Sequence, residues 1–398
     1  MQDQEWVDIR RIPAEQIAEA MELSAFAFQY ELSEEDRRHR EAMLPEQEQW
    51  GAYVDGRLAA KLAINDFQCY IQGHALPMGG VAGVATWPEY RRGGLVKKLI
   101  LQALLAMKEK GQTISFLYPF EFGFYRKFGW EMCAEQKQLE LVVSQLPKWP
   151  GGKGKVVRSD GGWEVLHTIY SAYAAGYNGM LNRSEAWWTH RVLFTKRGMT
   201  AVYYNEAGEP AGYVMYQVKE RVLKVHELIA LNHEAKLGLW RFLSDHDSML
   251  EKLTWNAPTD EALPFLLDNP RVKQEIVPTI MARIVDVPAF LDKFPFASGM
   301  EGSFCLKIQD EHAPWNQAVW HVTVDESGKA VVREAAEELG NLNLPQLACS
   351  VQTLSALLMG YRTASFLHEI GRLQGEEQAV ELLERLVPPQ AVFIGDFF

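Results

Sequence analysis

Apolar positions recur with two different periods along this chain, and together they predict alternating strands and helices. Between residues 50 and 68, two apolar runs flank Asp55-Gly56, a dipeptide that favours the tight turn of a β-hairpin. Over residues 95–110, apolar side chains fall on one face of a helix, and Gly111 marks its end. Strands and helices mixed in this way within one segment indicate an α/β (α+β) fold.

The rest of the first segment, to about residue 148, continues this pattern. Residues 1–50 are interpreted as helical in two pieces, the second of which opens at Ser33 with an N-terminal capping pattern. A third strand is predicted at residues 68–72. VAGVATW follows as a strand, TISFLYPF is a strand after the helix, and a short helix or turn carries Tyr125. A stretch rich in Gly, Pro and Lys at residues 147–162 is typical of a linker or exposed loop.

The second segment repeats the order hairpin, strand, helix, strand, and this repetition predicts an internal structural duplication. Its hairpin turns at residues 207–210, and KVHELIAL, EAKLGLWRFLSDH and KLTWNA supply the following strand, helix and strand. Where the first copy has RRGG at residues 91–94, the second has NHEAK at residues 232–236, which contains no glycine. We therefore expect the second copy to be a degenerate scaffold.

The third segment has the pattern of a small α+β domain. FCLKIQD and WHVTVDESGKAVVRE alternate as strands, and the second of these runs turns at Ser327-Gly328. LPQLACSVQTLSALLMG and EEQAVELLERLV are both predicted to be helical. The predicted domains are thus residues 1–148, 149–285 and 286–398.

The bulk composition restricts the class of protein. The chain has 398 residues, of which 47% are hydrophobic and 23% charged, as is typical of a soluble globular protein with two or three domains. A formal net charge of -12 argues against nucleic acid as a partner, and no apolar run approaches the roughly 18 residues that would indicate a membrane span. The N-terminus lacks the apolar core of a secretory signal, and the four cysteines are widely separated. These features favour a cytoplasmic protein with free thiols and no metal site.

One stretch carries most of the candidate chemistry: GGVAGVATWPEYRRGGLVKKL at residues 79–99. It is interpreted as a strand, a turn with two arginines and two glycines, and the start of a helix. A glycine-containing turn at a helix N-terminus presents backbone N–H groups and a positive field to a phosphate, and Arg91 and Arg92 add charge at its rim. An ordinary strand-to-helix turn with surface arginines is the alternative. The stretch matches neither GxxxxGK[ST] nor GxGxxG, which disfavours P-loop ATPases and dinucleotide folds.

The residues of this stretch resemble a known family. VATWPEYRRGGL at residues 84–95 resembles the acetyl-CoA-binding motif of GNAT acetyltransferases, R/Q-x-x-G-x-G/A, and departs from it at Val96. FGFYRKFGW, MARIVDVPAFL and the final GDFF resemble the Eis-type acetyltransferases, so that the likeness extends over essentially the whole chain. The resemblance implies tandem GNAT-like mixed-sheet domains followed by a sterol-carrier-like α+β domain, and a homohexameric assembly.

The resemblance also implies roles for particular residues. Tyr125 matches the general acid of the family, and the α-carboxylate of Phe398 matches the general base. A core aromatic residue and a frayed chain end are the respective alternatives. Asp396 could add negative charge near a cationic substrate, or it could be a solvated acid. The residues implied to bind the acetyl-CoA co-substrate are Val84, Ala85, Thr86, Arg91, Arg92, Gly93, Gly94, Leu95, Val96, Lys97, Phe120 and Glu121.

These inferences lead to one leading hypothesis of function. The chain is predicted to be an acetyl-CoA-dependent N-acetyltransferase that acts on the amines of a small cationic molecule, aminoglycoside-like or polyamine-like. One alternative is acetylation of a protein lysine or N-terminus by the same site. Another is a lipid or ligand carrier in which the third domain is active and the acetyltransferase fold is vestigial.

Overall fold

The computed structural model describes residues 6–159, 162–335 and 344–398, so that residues 160–161 of the predicted linker lie outside it. The strands are β1 (Val7–Arg11), β2 (Gln47–Val54), β3 (Arg57–Ile71), β4 (His74–Thr86), β5 (Ile114–Leu117), β6 (Glu131–Val142), β7 (Lys155–Ser159), β8 (Met199–Tyr204), β9 (Pro210–Lys219), β10 (Val222–Ala230), β11 (Lys252–Ala257), β12 (Lys273–Ile284), β13 (Gly302–Gln309), β14 (Val319–Val324), β15 (Ala330–Glu334), β16 (Gln346–Ser350) and β17 (Gln374–Gly375). The helices are α1 (Ile17–Phe28), α2 (Glu34–Ala42), α3 (Leu95–Glu109), α4 (Phe122–Arg126), α5 (Trp163–Ala174), α6 (Glu185–Trp187), α7 (Leu193–Thr195), α8 (His233–Ser244), α9 (Leu263–Leu266), α10 (Val287–Lys293), α11 (Val351–Leu358), α12 (Ala364–Glu369) and α13 (Glu377–Leu386).

Two compact units make up the chain. The first comprises residues 1–133, 280–389 and 397–398, and the second comprises residues 134–279 and 390–396. None of the described helices is both long enough and apolar enough to cross a membrane.

The first unit contains a mixed sheet in which β1, β2, β3 and β4 pair antiparallel in sequence order. The predicted hairpin is confirmed, because Asp55 and Gly56 turn between β2 and β3 with positive φ angles of 49° and 80°. After β4 the chain crosses over through α3, and β5 then pairs parallel to β4. The apolar face of α3 packs on this sheet through buried side chains such as Leu99 and Leu104, and Gly111 follows the helix with φ 70°, as predicted.

Two predictions for the first unit are wrong. Residues 7–11 form the edge strand β1 instead of helix, and β2 already begins at Gln47. The third strand predicted at residues 68–72 belongs to the continuous fifteen-residue strand β3. Polar Asp66 and Gln68 face solvent there while Phe67 and Cys69 are buried. The polar residues therefore continue the strand alternation instead of interrupting it.

The second unit repeats the core of the first. Its sheet order is β6, β11, β10, β9, β8, β7. The β8–β9 and β9–β10 pairs are antiparallel, and α8 connects β10 to its parallel neighbour β11. This is the same succession as β2, β3, β4, α3, β5, so that the predicted structural duplication is confirmed.

A buried ion-pair cluster organises the middle of the second unit. Arg183 is fully buried and donates two hydrogen bonds to Glu227 at 2.6 and 3.0 Å. Its Nε lies 3.1 Å from both carboxylate oxygens of Asp396. The guanidinium carbon also lies 3.7 and 4.5 Å from the ring centroids of Tyr170 and Trp188, within the range of cation–π contacts. Every charge in the cluster thus has a partner, as burial requires.

Replacing Arg183 with Met is expected to lower the free energy of unfolding by about 3–5 kcal/mol, because two buried carboxylates lose their shared counter-charge. Urea unfolding followed by tryptophan fluorescence measures the change. Arg241→Ala removes an exposed pair with Asp245 and is the control, expected to change stability by less than about 1 kcal/mol. An Arg183→Met variant as stable as this control would show that the cluster contributes little.

The third segment folds into the first unit with a sheet in the order β15, β14, β13, β16, β17. The predicted strands β13, β14 and β15 and the helix α13 are confirmed. The helical prediction for residues 344–360 is wrong in its first part, because residues 346–350 form β16 parallel to β13. Leu347 and Cys349 are buried there in strand alternation, and Ser350 then caps α11. The sequence pattern of this short run was masked by the helical period that follows it.

Candidate functional site

The edge of β4 is open over its last residues. β4 pairs with β5 only from Met78 to Val81, and the next residues, Ala82 to Thr86, continue beyond the end of that pairing. On its other edge, β4 shifts register against β3 at Gly83, which has φ 57° and forms a β-bulge. β4 and β5 therefore separate just where β4 approaches the glycine-containing loop, whereas β3 and β4 stay paired as far as Thr86. This leaves a backbone edge to which an extended ligand can pair.

The loop after β4 leads into α3, whose N-terminus has no side-chain cap. Gly94 holds the N-cap position with φ 78°, Arg92 precedes it with φ 66°, and no side chain caps the helix. A Cβ added at Gly94 would meet no atom within 4 Å, and one added at Gly93 would meet only the Tyr90 carbonyl oxygen, at 3.6 Å. The first amides of a fifteen-residue helix are thus open to solvent beside exposed Arg91 and Arg92, an arrangement that binds anions.

An unsatisfied polar atom lies at the junction of strand and loop. The Thr86 hydroxyl is buried and has no hydrogen-bond partner, although buried hydroxyls are nearly always paired. The Thr86 carbonyl oxygen accepts a hydrogen bond from Arg91 Nε at 3.4 Å. A ligand lying along the open edge of β4 would provide the missing partner for the hydroxyl.

The corresponding place in the second unit is closed by the chain itself. The side chain of Asn232 caps α8 by accepting a hydrogen bond from the Ala235 amide at 2.8 Å. Glu234 accepts hydrogen bonds from the Tyr203 hydroxyl and the Lys153 amide at 2.8 and 2.9 Å. The helix N-terminus therefore already has an acceptor, and it lies beside a carboxylate that would repel a phosphate.

Tyr125 lies on the short helix α4 inside an aromatic cluster. Its side chain is 3% exposed, and its ring centroid lies 5.3 Å from Phe120 and 5.2 Å from Phe124. Burial raises the pKa of the Tyr125 hydroxyl well above its ordinary value of 10.0. The phenol is therefore protonated near neutral pH, which is the form that can donate a proton.

Phe120 and Glu121 lie between β5 and α4. The ring of Phe120 is 66% exposed and covers Tyr125. Glu121 is the N-cap of α4, and its carboxylate accepts a hydrogen bond from the Gly123 amide at 3.0 Å. Glu121 thus has a local structural role that the sequence reasoning did not foresee.

The last residue of the sequence packs on the sheet of the first unit. The ring of Phe398 meets Phe67 edge-on at 5.3 Å between centroids and lies 6.2 Å from Tyr118. A Cβ added at Gly80 on β4 would lie 2.9 Å from the Phe67 ring and 3.0 Å from the Phe398 ring, so that both rings pack closely over this glycine. The ring of Phe397 contacts that of Tyr118, with 4.6 Å between the ring centroids. The aromatic contacts of Phe398 do not fit a frayed end.

Asp396 plays neither of the roles considered for it. It belongs to the second unit, where it is buried, paired with Arg183 and bonded to the Trp187 indole N–H at 3.0 Å. It is therefore neither a solvated acid nor free to attract a cation. The apolar character of the final residues concealed this ion pair, since its partner lies more than 200 positions earlier in the sequence.

The other implied co-substrate residues divide by exposure. Val84 and Val96 are half-buried against the core around α3, whereas Ala85 and Leu95 are buried. Lys97 is exposed in the first turn of the helix. The sequence reasoning missed two residues beside this loop, Gly83 and Lys61. The signals for them were a lone glycine inside a strand and a lone lysine in the apolar run LAAKLAI.

Comparison with known families supports the class that this geometry defines. Acetyltransferase (GNAT) domain families match residues 8–133 and again residues 179–284, and a sterol carrier protein domain family matches residues 287–395. The chain is therefore an acetyltransferase of the GNAT class, with tandem GNAT domains followed by a sterol-carrier-like domain.

Individual relatives refine this assignment. An uncharacterized N-acetyltransferase of Streptomyces avermitilis is 25% identical over 94% of this chain and 93% of its own length. N-acetyltransferase Eis of Mycobacterium tuberculosis is 25% identical over 81% of this chain and 79% of its own length. Taken with the domain order, these matches identify the chain as an Eis-type GNAT acetyltransferase.

Solved structures share the fold over the full length. A probable N-acyltransferase of unknown function from Enterococcus faecalis has a TM-score of 0.92 at 28% identity and covers 99% of this chain and 100% of its own. Eis1 of Mycobacterium abscessus has a TM-score of 0.81 at 23% identity, with 99% and 100% covered. The fold of all three segments is thus common to these proteins.

Proposed function

We propose that the protein transfers the acetyl group of acetyl-CoA to an amine of a small cationic molecule, polyamine-like or aminoglycoside-like. The observation that carries the proposal is the open edge of β4 leading directly into the uncapped N-terminus of α3. An extended arm and a pyrophosphate need these two features in that order. Domains of the GNAT class use acetyl-CoA, which fits both features.

The residues present fit acetyl-CoA. In our proposal the backbone of Val84, Ala85 and Thr86 pairs with the amides of the pantetheine arm, and the unsatisfied Thr86 hydroxyl gains a partner. The amides from Gly93 to Lys97 receive the pyrophosphate, with Arg91 and Arg92 at the rim. Phe120 and Glu121 contact the co-substrate from the side of α4.

The proposed chemistry requires two proton transfers, one from the attacking amine and one to the departing sulfur. Acetyl-CoA supplies a thioester carbon that a neutral amine attacks. The α-carboxylate of Phe398 accepts the proton that the amine loses, and the Tyr125 hydroxyl donates a proton to the departing sulfur. The raised pKa of Tyr125 and the packed position of the Phe398 ring support these roles.

The acceptor class rests on the family resemblance and on exposed aromatic rings in the first unit. Phe26 at the end of α1 is 50% exposed, and its ring contacts that of Trp87, just before the loop, with 5.0 Å between the ring centroids. Phe397 is 62% exposed. Ring faces of this kind attract ammonium groups.

Gly94→Asp is expected to weaken CoA binding at least about tenfold, or about 1.4 kcal/mol, because its carboxylate would cap α3 and repel the pyrophosphate. Isothermal titration calorimetry with CoA measures this. Gly111→Asp is a matched control at the other end of the same helix. Its φ is 70° against 78° at Gly94, and an added Cβ meets no atom within 4 Å at either position. Gly111→Asp should leave the affinity for CoA unchanged. Its negative charge at the C-terminus of α3 is nevertheless expected to destabilise the fold more than Gly94→Asp does at the N-terminus. Equal affinities in the two variants would contradict the proposed pyrophosphate site.

Turnover is tested by following thiol release from acetyl-CoA with a panel of polyamines, aminoglycosides and lysine-containing peptides. We expect release with the small cationic amines. Release with peptides alone would move the acceptor class to proteins, and CoA binding without release on any amine would contradict the enzymatic role.

A further inference from the structure

Lys61 holds a buried amine directly over the bulge of β4. It lies on β3 opposite Ala85 of β4, and its side chain is only 5% exposed. A Cβ added at Gly83 would lie 3.3 Å from Lys61 Nζ and 3.9 Å from Ser24 Oγ of α1. The amine therefore occupies the space that the absent side chain of Gly83 leaves free, at the point where β4 and β5 separate.

Within residues 6–159, 162–335 and 344–398, no acid forms an ion pair with this amine. Among the ion pairs of the described residues, none includes Lys61. By contrast, two half-buried lysines elsewhere have an acid as partner: Lys196 pairs with Glu227, and Lys236 pairs with Glu261 at 2.6 Å. A buried ammonium without a counter-charge is unfavourable, which shifts the equilibrium toward the neutral amine.

Lys61 is enclosed by neutral groups and has one cationic residue nearby. Ser24 approaches from α1, Gly51 and Gly83 flank it on the neighbouring strands, and Arg40 of α2 is the charged residue that acts on it. Burial and the charge of Arg40 lower the pKa of Lys61 to about 8. At pH 7 about a tenth of the side chain is therefore the free amine, the form that attacks a thioester, and this fraction rises with pH.

We propose that Lys61 is itself an acetyl acceptor, so that the protein acetylates its own Lys61 from bound acetyl-CoA. This inference rests on the proposed function. If the pyrophosphate binds at the start of α3 and the pantetheine arm returns along Thr86 and Val84, the acyl end of acetyl-CoA points toward Gly83. Lys61 Nζ is the amine beside that position.

The transfer balances without any further reactant. Neutral Nζ forms a bond to the acetyl carbon while the bond from that carbon to sulfur breaks. The nitrogen loses one proton and the sulfur gains one, so that the products are an acetyl-lysine amide and CoA with a free thiol. The modification removes a positive charge from the face of β3 that lies against α1.

The test incubates the full chain with isotope-labelled acetyl-CoA and no external amine, and then maps acetylated peptides by mass spectrometry. We expect label at Lys61 before the exposed Lys98 and Lys127, at a rate that saturates with acetyl-CoA and falls when free CoA is added. Acetyl phosphate, which does not need the loop, should label the exposed lysines in preference. Gly94→Asp should slow labelling at Lys61 and leave labelling at Lys98 unchanged.

The outcomes distinguish a failure of this inference from a failure of the proposed function. If CoA binds and an external amine is acetylated while Lys61 stays unlabelled, the self-acetylation is wrong and the proposed function stands. If CoA does not bind, both the proposed function and the self-acetylation of Lys61 are contradicted. Labelling of Lys61 no faster than of Lys98, or equally by acetyl phosphate, would show ordinary chemical acetylation and overturn the inference. The Lys61→Arg variant should unfold at the same midpoint as the wild type. It should lose the acetyl label at position 61 and keep the labels at the other lysines.

Discussion

Converting the α-carboxylate of Phe398 to a carboxamide is expected to lower kcat by about 10²- to 10⁴-fold, the usual contribution of a general base. The change removes a proton acceptor and one negative charge while leaving the ring in contact with Phe67 and Tyr118. Because those ring contacts remain, the terminus should keep its position and the affinity for CoA should not change. Semisynthesis by peptide ligation yields the variant, and thiol release measures kcat.

The matched control is a chain ligated in the same way with its natural carboxylate. Extension of the chain by one alanine is a second variant, which moves the carboxylate by about 3.5 Å without removing it. We expect it to lose activity as well, since proton transfer requires hydrogen-bond distance. If the carboxamide chain turned over as fast as the ligated control, the terminal carboxylate would have no part in the mechanism.

Tyr125→Phe is expected to lower kcat by about 10²- to 10³-fold, equivalent to about 3–4 kcal/mol of transition-state stabilisation. The variant keeps the ring that packs against Phe120 and Phe124 and removes only the proton donor. Calorimetry should show unchanged CoA affinity, because the hydroxyl acts on the departing sulfur and not on the phosphates.

Tyr53→Phe is the control for losing a buried phenol in the same unit. Its hydroxyl donates a hydrogen bond to Gln16 at 2.8 Å, so that the variant should lose about 1 kcal/mol of stability and keep its kcat. A pH profile adds a second readout. Since the pKa of Tyr125 is raised above 10.0, wild-type kcat should show no loss from Tyr125 ionisation below that pH. Substituting a fluorinated tyrosine of lower pKa at position 125 should bring an alkaline loss of activity into range, whereas an unaltered profile would contradict the proton-donor role.

The sequence was most informative where local chemistry dictates local structure. Asp55-Gly56 predicted the hairpin turn, Ser33 predicted a capping box, and Gly111 predicted the end of α3. Each of these signals acts on backbone groups only a few residues away. The duplication was also readable, since it requires only the order of elements. Predictions failed at β1 and β16, which are short strands whose stability comes from pairing with distant β2 and β13.

The candidate site shows the same division. The stretch at residues 79–99 predicted a phosphate-binding loop, and the open edge of β4 and the uncapped α3 fit that prediction. The amine of Lys61 over the bulge at Gly83 depends on the register between β3 and β4. A sequence pattern does not encode such a register, which is set by packing of the whole sheet.

The sequence by itself thus determined the class of fold, the repeat and the loop, because turns, caps and hydrophobic periods act over short distances along the chain. Only the tertiary structure decided which charges are neutralised. Asp396 gains Arg183 from more than 200 residues away, whereas Lys61 has no acid as partner among the residues that the structure describes. The physical reason is that burial removes the solvent that would otherwise screen each charge, so that its state depends on partners that only folding brings together.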